Sequence, residues 1–260
     1  MTMAWLQDPA MRGLDIDDPR ATDARRELIR RKVFLQRLYD EWYRWLAATV
    51  PTGPGRVLEL GSGAGFFRDV MPEAIASEIL PSLHVSLRLD AQQLPFAENS
   101  LRAVVMVDVL HHVPDVRQFF RDATRTVRPG GRIAMIEPWV SPWSRLIYRG
   151  LHHEPFVPDA ATWAFPKGGP LSAANMALPW IVFVRDRAAF EREFPEWRIV
   201  TIEPVVPFRY LLSGGVSLRA LMPGWSFGFW RALERALVRW LPQMSLFARI
   251  VIERVSPEAG

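Results

Sequence analysis

A run of apolar residues leads into glycines at alternate positions: Val57-Leu58-Glu59-Leu60-Gly61-Ser62-Gly63-Ala64-Gly65. Such a stretch reads as a buried strand entering a tight turn, where the missing side chains let a ligand approach the backbone. Amides at the start of a following helix would face that ligand. An ordinary tight turn uses the same residues, so the loop alone is weak evidence. Its spacing nevertheless discriminates. A dinucleotide fingerprint wants its third glycine at the position of Phe66, a bulky aromatic, which disfavours a nicotinamide-dependent enzyme.

The surrounding pattern gives the turn a context. Strand candidates rich in Val, Ile and Leu fall at Arg56–Leu60, Ala74–Ile79, His84–Leu89, Ala103–Val109 and Arg132–Glu137. Val116–Val127 has helical spacing and ends at Arg128-Pro129-Gly130-Gly131. Alternating strands and helices predict an α/β fold with a doubly wound, mostly parallel sheet. Residues 1–21 read as an irregular arm, and Thr22–Val50, free of glycine and proline, as one long amphipathic helix. Residues 1–49 thus precede a domain spanning 50–260. Within that domain, about 138–195 reads as a proline- and tryptophan-rich insert. Trp197–Val206 and Leu246–Val255 then look like strands, and Phe229–Trp240 like an amphipathic helix.

Composition removes several function classes. With no cysteine, disulfides, thiolate metal sites and cysteine nucleophiles are excluded. No apolar stretch approaches the ~20 residues needed to span a bilayer, and no signal segment opens the chain, so a cytoplasmic protein is the expectation. Of 32 basic residues only Lys32 and Lys167 are lysines, so the pI near 9.9 reflects arginine bias at a net charge of only +4. No basic run with interleaved aromatics suggests a nucleic-acid partner.

The chain resembles the class I S-adenosylmethionine-dependent methyltransferases, specifically the methyltransferase type 11 group. Five motifs over residues 56–137 carry the likeness: the glycine loop, Glu78, Asp90-Ala91 with Leu94-Pro95-Phe96, Ser100–Val107 with Asp108-Val109-Leu110-His111-His112, and Arg128-Pro129-Gly130-Gly131. The resemblance implies a Rossmann-like fold with a seven-stranded sheet and S-adenosyl-L-methionine as cofactor. It places the cofactor on Glu59, Gly61, Ser62, Gly63, Gly65, Glu78, Asp90, Ala91, Asp108 and Val109. Glu78 would hold the ribose hydroxyls and Asp90 the adenine amino group. The plainer readings are a surface glutamate, an ordinary turn aspartate and, for Glu59, a strand residue satisfied by local amides. Two departures stand out: only eleven residues separate Glu78 from Asp90, and Arg102 stands where the family often has aspartate. The short crossover leaves the adenine side open, or covered by the N-terminal helix.

Methyl transfer from a sulfonium mainly requires positioning and exclusion of water, with a base only if the acceptor must lose a proton. His111, His112, His153 and Glu154 are the base candidates, since imidazole titrates near working pH. A structural role is the stronger reading for each histidine. No metal site is expected, because adjacent histidines should point apart and no carboxylate cluster completes a facial set. The acceptor is expected to be a small molecule or lipid-linked. Tryptophans in the insert and around Trp225–Trp230, with the arginine-rich tail, suit core packing, an apolar acceptor pocket or peripheral contact with the inner face of a membrane. The alternative to an enzyme is a non-catalytic module that binds S-adenosylmethionine or a partner on the same fold.

Overall fold

Neighbouring residues of the central strands point to opposite apolar layers, which is what buries the sheet on both faces. In the computed structural model, residues 6–63, 65–151, 154–166, 168–240 and 242–255 are described, without the side chains of 151, 238–240 and 242. Seven strands form one sheet: β1 Arg56–Leu60, β2 Ile75–Glu78, β3 Leu87–Arg88, β4 Leu101–Val107, β5 Val127–Pro138, β6 Trp197–Val205 and β7 Phe247–Arg254. Their order is β3-β2-β1-β4-β5-β7-β6, with β7 antiparallel to both β5 and β6 and the other pairs parallel. This is the Rossmann-like methyltransferase arrangement.

The helices are α1 Pro19–Arg31, α2 Val33–Thr49, α3 Val116–Thr126, α4 Pro142–Leu151, α5 Leu178–Trp180, α6 Arg187–Glu193, α7 Arg209–Ser213 and α8 Phe227–Trp240. A π-helical turn, Ile181–Arg185, joins α5 to α6. On one face Leu58, Val104, Met106, Ile133 and Ile250 meet Phe119 and Phe120 of α3 and Phe183 and Phe190. On the other, Val57, Val105, Ala134, Ile136 and Val251 meet Leu35, Leu38, Trp42 and Leu46 of α2. The buried aromatics Trp163 and Phe183 therefore serve the core.

Several boundaries differ from the sequence reading. The expected single helix is two, with Lys32 between them at φ −88°, ψ 86°. Asp18 caps α1 through Arg20 N, and Pro19 occupies the first turn, so the helix starts inside the expected arm. At the break, the buried Lys32 ammonium donates to the carbonyls of Gly215, at 2.9 Å, and Leu218. A buried cation needs such oxygens, and they lie on a segment far along the chain. Strand β3 keeps only two residues, pairing only with β2 at the sheet edge. Strand β5 starts early, at Val127, with its register against β4 slipping where Leu101 faces Val127 but Ala103 faces Arg132. The helix expected after the glycine turn is absent: a 3-10 turn, Phe67–Asp69, stands there instead. Pro72 blocks helix continuation, and α1 and α2 fill the space, with Tyr43 5.9 Å from Phe67 and Arg26 4.6 Å above the Phe66 ring.

Candidate active site

The β1–β4 border is where strand order reverses, and open α/β sheets bind ligands there, beyond the carboxyl ends of the strands. The main cleft opens at that point. The glycine turn forms its floor: Gly61 has φ +59°, and a side-chain carbon on it would meet Val109 Cγ2 at 2.4 Å. Gly63, at φ +48°, would meet nothing nearer than the Gly61 carbonyl at 3.9 Å, so its backbone is open to the cleft. Ser62 is buried and ties the turn to β2, its amide donating to Ser77 O at 2.8 Å and its hydroxyl accepting from Ser77 N at 3.0 Å.

Glu78 lines the cleft and also braces it. Its Oε2 accepts the Gly63 amide at 2.9 Å and its Oε1 accepts the Ile79 amide at 2.8 Å. Asp90 and Ala91 line the wall, with Asp90 Oδ1 accepting the Gln92 amide at 2.8 Å in an Asx turn. Glu59 is buried at the end of β1 with Oε2 lacking any hydrogen-bond partner, and burial pushes its carboxyl up to about 8. Asp108 and Val109 follow β4. Asp108 sits at φ +63°, an unusual conformation for a non-glycine residue of the sort that clusters at functional sites. Burial pushes its carboxyl up to about 7.

One member of the expected cofactor set lies elsewhere. Gly65 stands outside this cleft, where a side-chain carbon would meet His84 O at 2.9 Å. Its left-handed backbone, φ +69°, shapes the turn rather than the ligand surface.

On the acceptor side, His112 and Glu154 line the cleft, while His111 is buried just behind them. His111 Nδ1 stands 2.9 Å from Glu137 Oε2, and its Nε2 lies 3.4 Å from Glu154 Oε2 and 3.9 Å from Asp108 Oδ1. Burial disfavours the His111 cation, but the hydrogen bond with Glu137 and the nearby Glu154 carboxylate outweigh it and hold the imidazole well above its usual range. His112 faces the opposite balance: burial and the neighbouring His111 charge push it down to about 3. The expectation that the adjacent histidines point apart is corrected. Their ring centroids are 4.1 Å apart, and both approach Glu154 because the 3-10 turn Leu110–His112 curls them onto one side. His153 falls outside the described residues.

Sequence reasoning missed the third wall. Arg25 and Ile29 of α1, Tyr39 and Tyr43 of α2, and Tyr210 of α7 all line the cleft. Tyr39 and Tyr43 are one helical turn apart, a spacing that marks a shared face, but nothing local says that the face meets a ligand. Among the described residues, nothing hydrogen-bonds the buried Arg25 Nε. Among the expected insert residues, Glu154, Pro170 and Leu171 reach the cleft.

The residues fit S-adenosylmethionine. The glycine floor admits a ligand against the backbone, an orphaned carboxyl oxygen on Glu59 can accept from an ammonium group, and the orphaned Arg25 Nε suits a carboxylate. The fold is that of the class I S-adenosylmethionine-dependent methyltransferases, and the cleft offers the groups that their cofactor requires. Comparison with known families agrees: residues 58–135 match the family described as "Methyltransferase domain". Over these residues the chain is similar to methyltransferase domains of the type 11 group.

Relatives and solved structures are consistent with this. An uncharacterized methyltransferase of Mycobacterium sp. (strain KMS) is 31% identical over 115 residues, 38% of this chain and 46% of that protein. The ubiquinone/menaquinone biosynthesis C-methyltransferase UbiE of Desulfotalea psychrophila is 27% identical over 158 residues, 53% of this chain and 61% of that protein. The aligned regions thus span about half the length of these curated relatives. In fold, the chain is similar to geranyl diphosphate C-methyltransferase from Streptomyces coelicolor A3(2), with a TM-score of 0.51, 15% identity and coverage of 96% of this chain and 89% of that one.

Proposed function

We propose that this protein transfers the methyl group of S-adenosylmethionine to a small apolar or lipid-linked acceptor. The observation that carries the reading is the joining of two halves in one cleft: a glycine floor braced by Glu78, and a polar group of Asp108, His112 and Glu154 facing it. When bound, the cofactor supplies an electrophilic methyl group whose donor already carries the activation. The chain's own task is to bind, orient and exclude water. Gly61 and Gly63 let the backbone approach the cofactor, Glu78 and Asp90 present carboxylate oxygens toward a diol and an amine, and Arg25 offers a guanidinium to a carboxylate. Tyr39, Tyr43 and Ile29 close the cleft against solvent. Should the acceptor lose a proton, the Asp108 carboxyl, held near 7, is matched to accept it at neutral pH.

The apolar character of the acceptor draws on the relatives, whose names include a quinone-biosynthesis and a geranyl diphosphate methyltransferase. A second feature supports a lipid-linked acceptor. Leu221, Trp225 and Phe229 are 55%, 83% and 66% exposed, next to the segment whose Val216 and Ser217 line the cleft. The exposed charges of residues 216–235 are Arg219, Arg231 and Arg235, and the segment's one acid, Glu234, is buried against Arg209. Aromatics rimmed by arginine suit peripheral contact with an anionic lipid surface. No helix among the described residues is long and apolar enough to cross a membrane.

Turnover tests the reading. Purified protein with S-adenosylmethionine should release S-adenosylhomocysteine when given a quinone or polyprenyl lipid extract. Cofactor binding without turnover on any extract would favour the non-catalytic module. Flotation with anionic liposomes, lost on Trp225→Glu, is expected for peripheral contact; protein that stays at the bottom of the gradient contradicts it.

A further inference from the structure

The pair of histidines shares one geometric feature with Glu154. His112 Nδ1 lies 3.2 Å from the Ala173 carbonyl, an oxygen that can only accept, so Nδ1 bears the hydrogen and Nε2 is left with a lone pair. His111 Nδ1 faces Glu137 Oε2 at 2.9 Å, and Glu137 Oε1 is occupied by the amides of Val109 and Leu110. With Nδ1–H held by Glu137, the proton that a metal ion would displace from His111 is the one on Nε2, which leaves that nitrogen as the ligand. Both Nε2 atoms therefore converge on one place, at 3.4 Å and 3.9 Å from the two oxygens of Glu154. His111 Nε2 is buried and makes no hydrogen bond among the described residues. Asp108 Oδ1 adds a further negative oxygen 3.9 Å from that same nitrogen.

Two imidazole nitrogens, the Glu154 carboxylate and the Asp108 carboxyl at the rim gather donor atoms around one point that a metal ion can occupy. We propose that His111, His112 and Glu154 bind a divalent first-row transition-metal ion. One ligand atom from each lies within 4.8 Å of the others. Metal bonds of about 2.0–2.2 Å then require the three to close by only ~1 Å, which Glu154 and His112, at the edge of the cleft, can supply. Two imidazoles and a carboxylate suit zinc, cobalt, iron or nickel better than magnesium or calcium, which take all-oxygen sets. The outer shell is already built: Glu137 behind His111 and the Ala173 carbonyl behind His112 fix both rings, as the second contacts of metal-bound histidines do. Coordination positions left open face the cleft, where an acceptor's hydroxyl or phosphate oxygen would sit. The site does not depend on the protein turning over a methyl group.

The test is made on full-length protein freed of metal with a chelator. Titration with Co²⁺ should give visible d–d bands saturating at one ion per chain, and calorimetry with Zn²⁺ should give the same stoichiometry. His112→Ala and Glu154→Gln, each checked for wild-type melting, should weaken binding by more than the ~10–100-fold typical of an outer-shell change, and Glu137→Gln should weaken it within that range. X-ray absorption of the zinc-loaded wild type should show two imidazole ligands, a readout that needs no variant. Absence of saturable binding, binding unchanged in both ligand variants, or a zinc spectrum without imidazole overturns the proposal. S-adenosylhomocysteine binding by the same preparations, measured separately, distinguishes that failure from a failure of the methyl-transfer reading.

Discussion

Glu137 Oε2 stands 2.9 Å from His111 Nδ1, and its other oxygen accepts the amides of Val109, at 2.9 Å, and Leu110, at 2.8 Å. One fully buried carboxylate at the end of β5 thus holds the loop after β4 and the orientation of His111. An amide cannot accept from all three donors without turning its own N–H groups toward one of them. Glu137→Gln should therefore cost about 3 kcal/mol or more, the range for breaking one side of a buried charged pair. Urea unfolding measures it, and a change below ~0.5 kcal/mol would show that the carboxylate does not hold this loop.

The two floor glycines should respond differently to alanine. At Gly61 the new carbon would collide with Val109 Cγ2 at 2.4 Å, so Val109 and the β4 loop must move. At Gly63 there is room, and the penalty is the left-handed backbone, about 1–2 kcal/mol. Gly61→Ala should lose more stability and perturb the loop more than Gly63→Ala. Equal losses, by thermal unfolding and by amide exchange at Val109 and Leu110, would contradict the close packing of turn against loop.

Burial raises the Glu59 carboxyl from its ordinary 4.5 to about 8. Below pH 4.5 both folded and unfolded chains carry this proton. Between 4.5 and 8 only the folded chain does, so the residue's contribution to stability falls as pH rises across that window. Glu59→Gln removes the effect. Relative to wild type, it should gain stability between pH 5 and pH 9, by on the order of 1 kcal/mol for each pH unit within the window. Parallel stability curves for the two proteins over this range would refute the assignment.

Arg209 joins α2, α7 and α8 from a buried position. Its Nη atoms donate to Glu41 at 2.9 and 3.0 Å, and its Nε donates to Glu234. Arg209→Ala takes the only cation from the buried Glu234 and leaves Glu41 with the more distant Arg249 and Arg231 among the described residues, and should cost about 3–5 kcal/mol. Glu41→Gln on its own should cost less, because Arg209 retains Glu234. Chemical unfolding of both variants checks the order.

Legibility followed the range of the interactions. Strands β1, β4 and β5 could be read because short β-branched runs bounded by Gly and Pro are local signals, and the glycine turn follows from the same rule. The kink at Lys32 could not, since no residue near it breaks a helix and its cause is the carbonyl of Gly215, 183 positions away. Phe66 excluded a dinucleotide fingerprint from sequence, but its partner Arg26 was not foreseeable, nor was the loss of the helix whose place α1 and α2 take. In the site, motif residues such as Glu78 and Asp108 were found because they end strands. Arg25, Tyr39, Tyr43 and Tyr210 were missed because they reach the cleft only through the packing of α1, α2 and α7. Nor did the spacing of His111 and Glu137, 26 positions apart, reveal their contact.

The cleft over Gly61 and Gly63 should hold the cofactor. Isothermal titration of the intact protein with S-adenosylhomocysteine tests it most directly. Saturable binding at one ligand per chain, lost in Gly61→Val while the variant remains folded by circular dichroism, is the predicted result. No binding by the intact protein, or undiminished binding by a folded Gly61→Val, would contradict it.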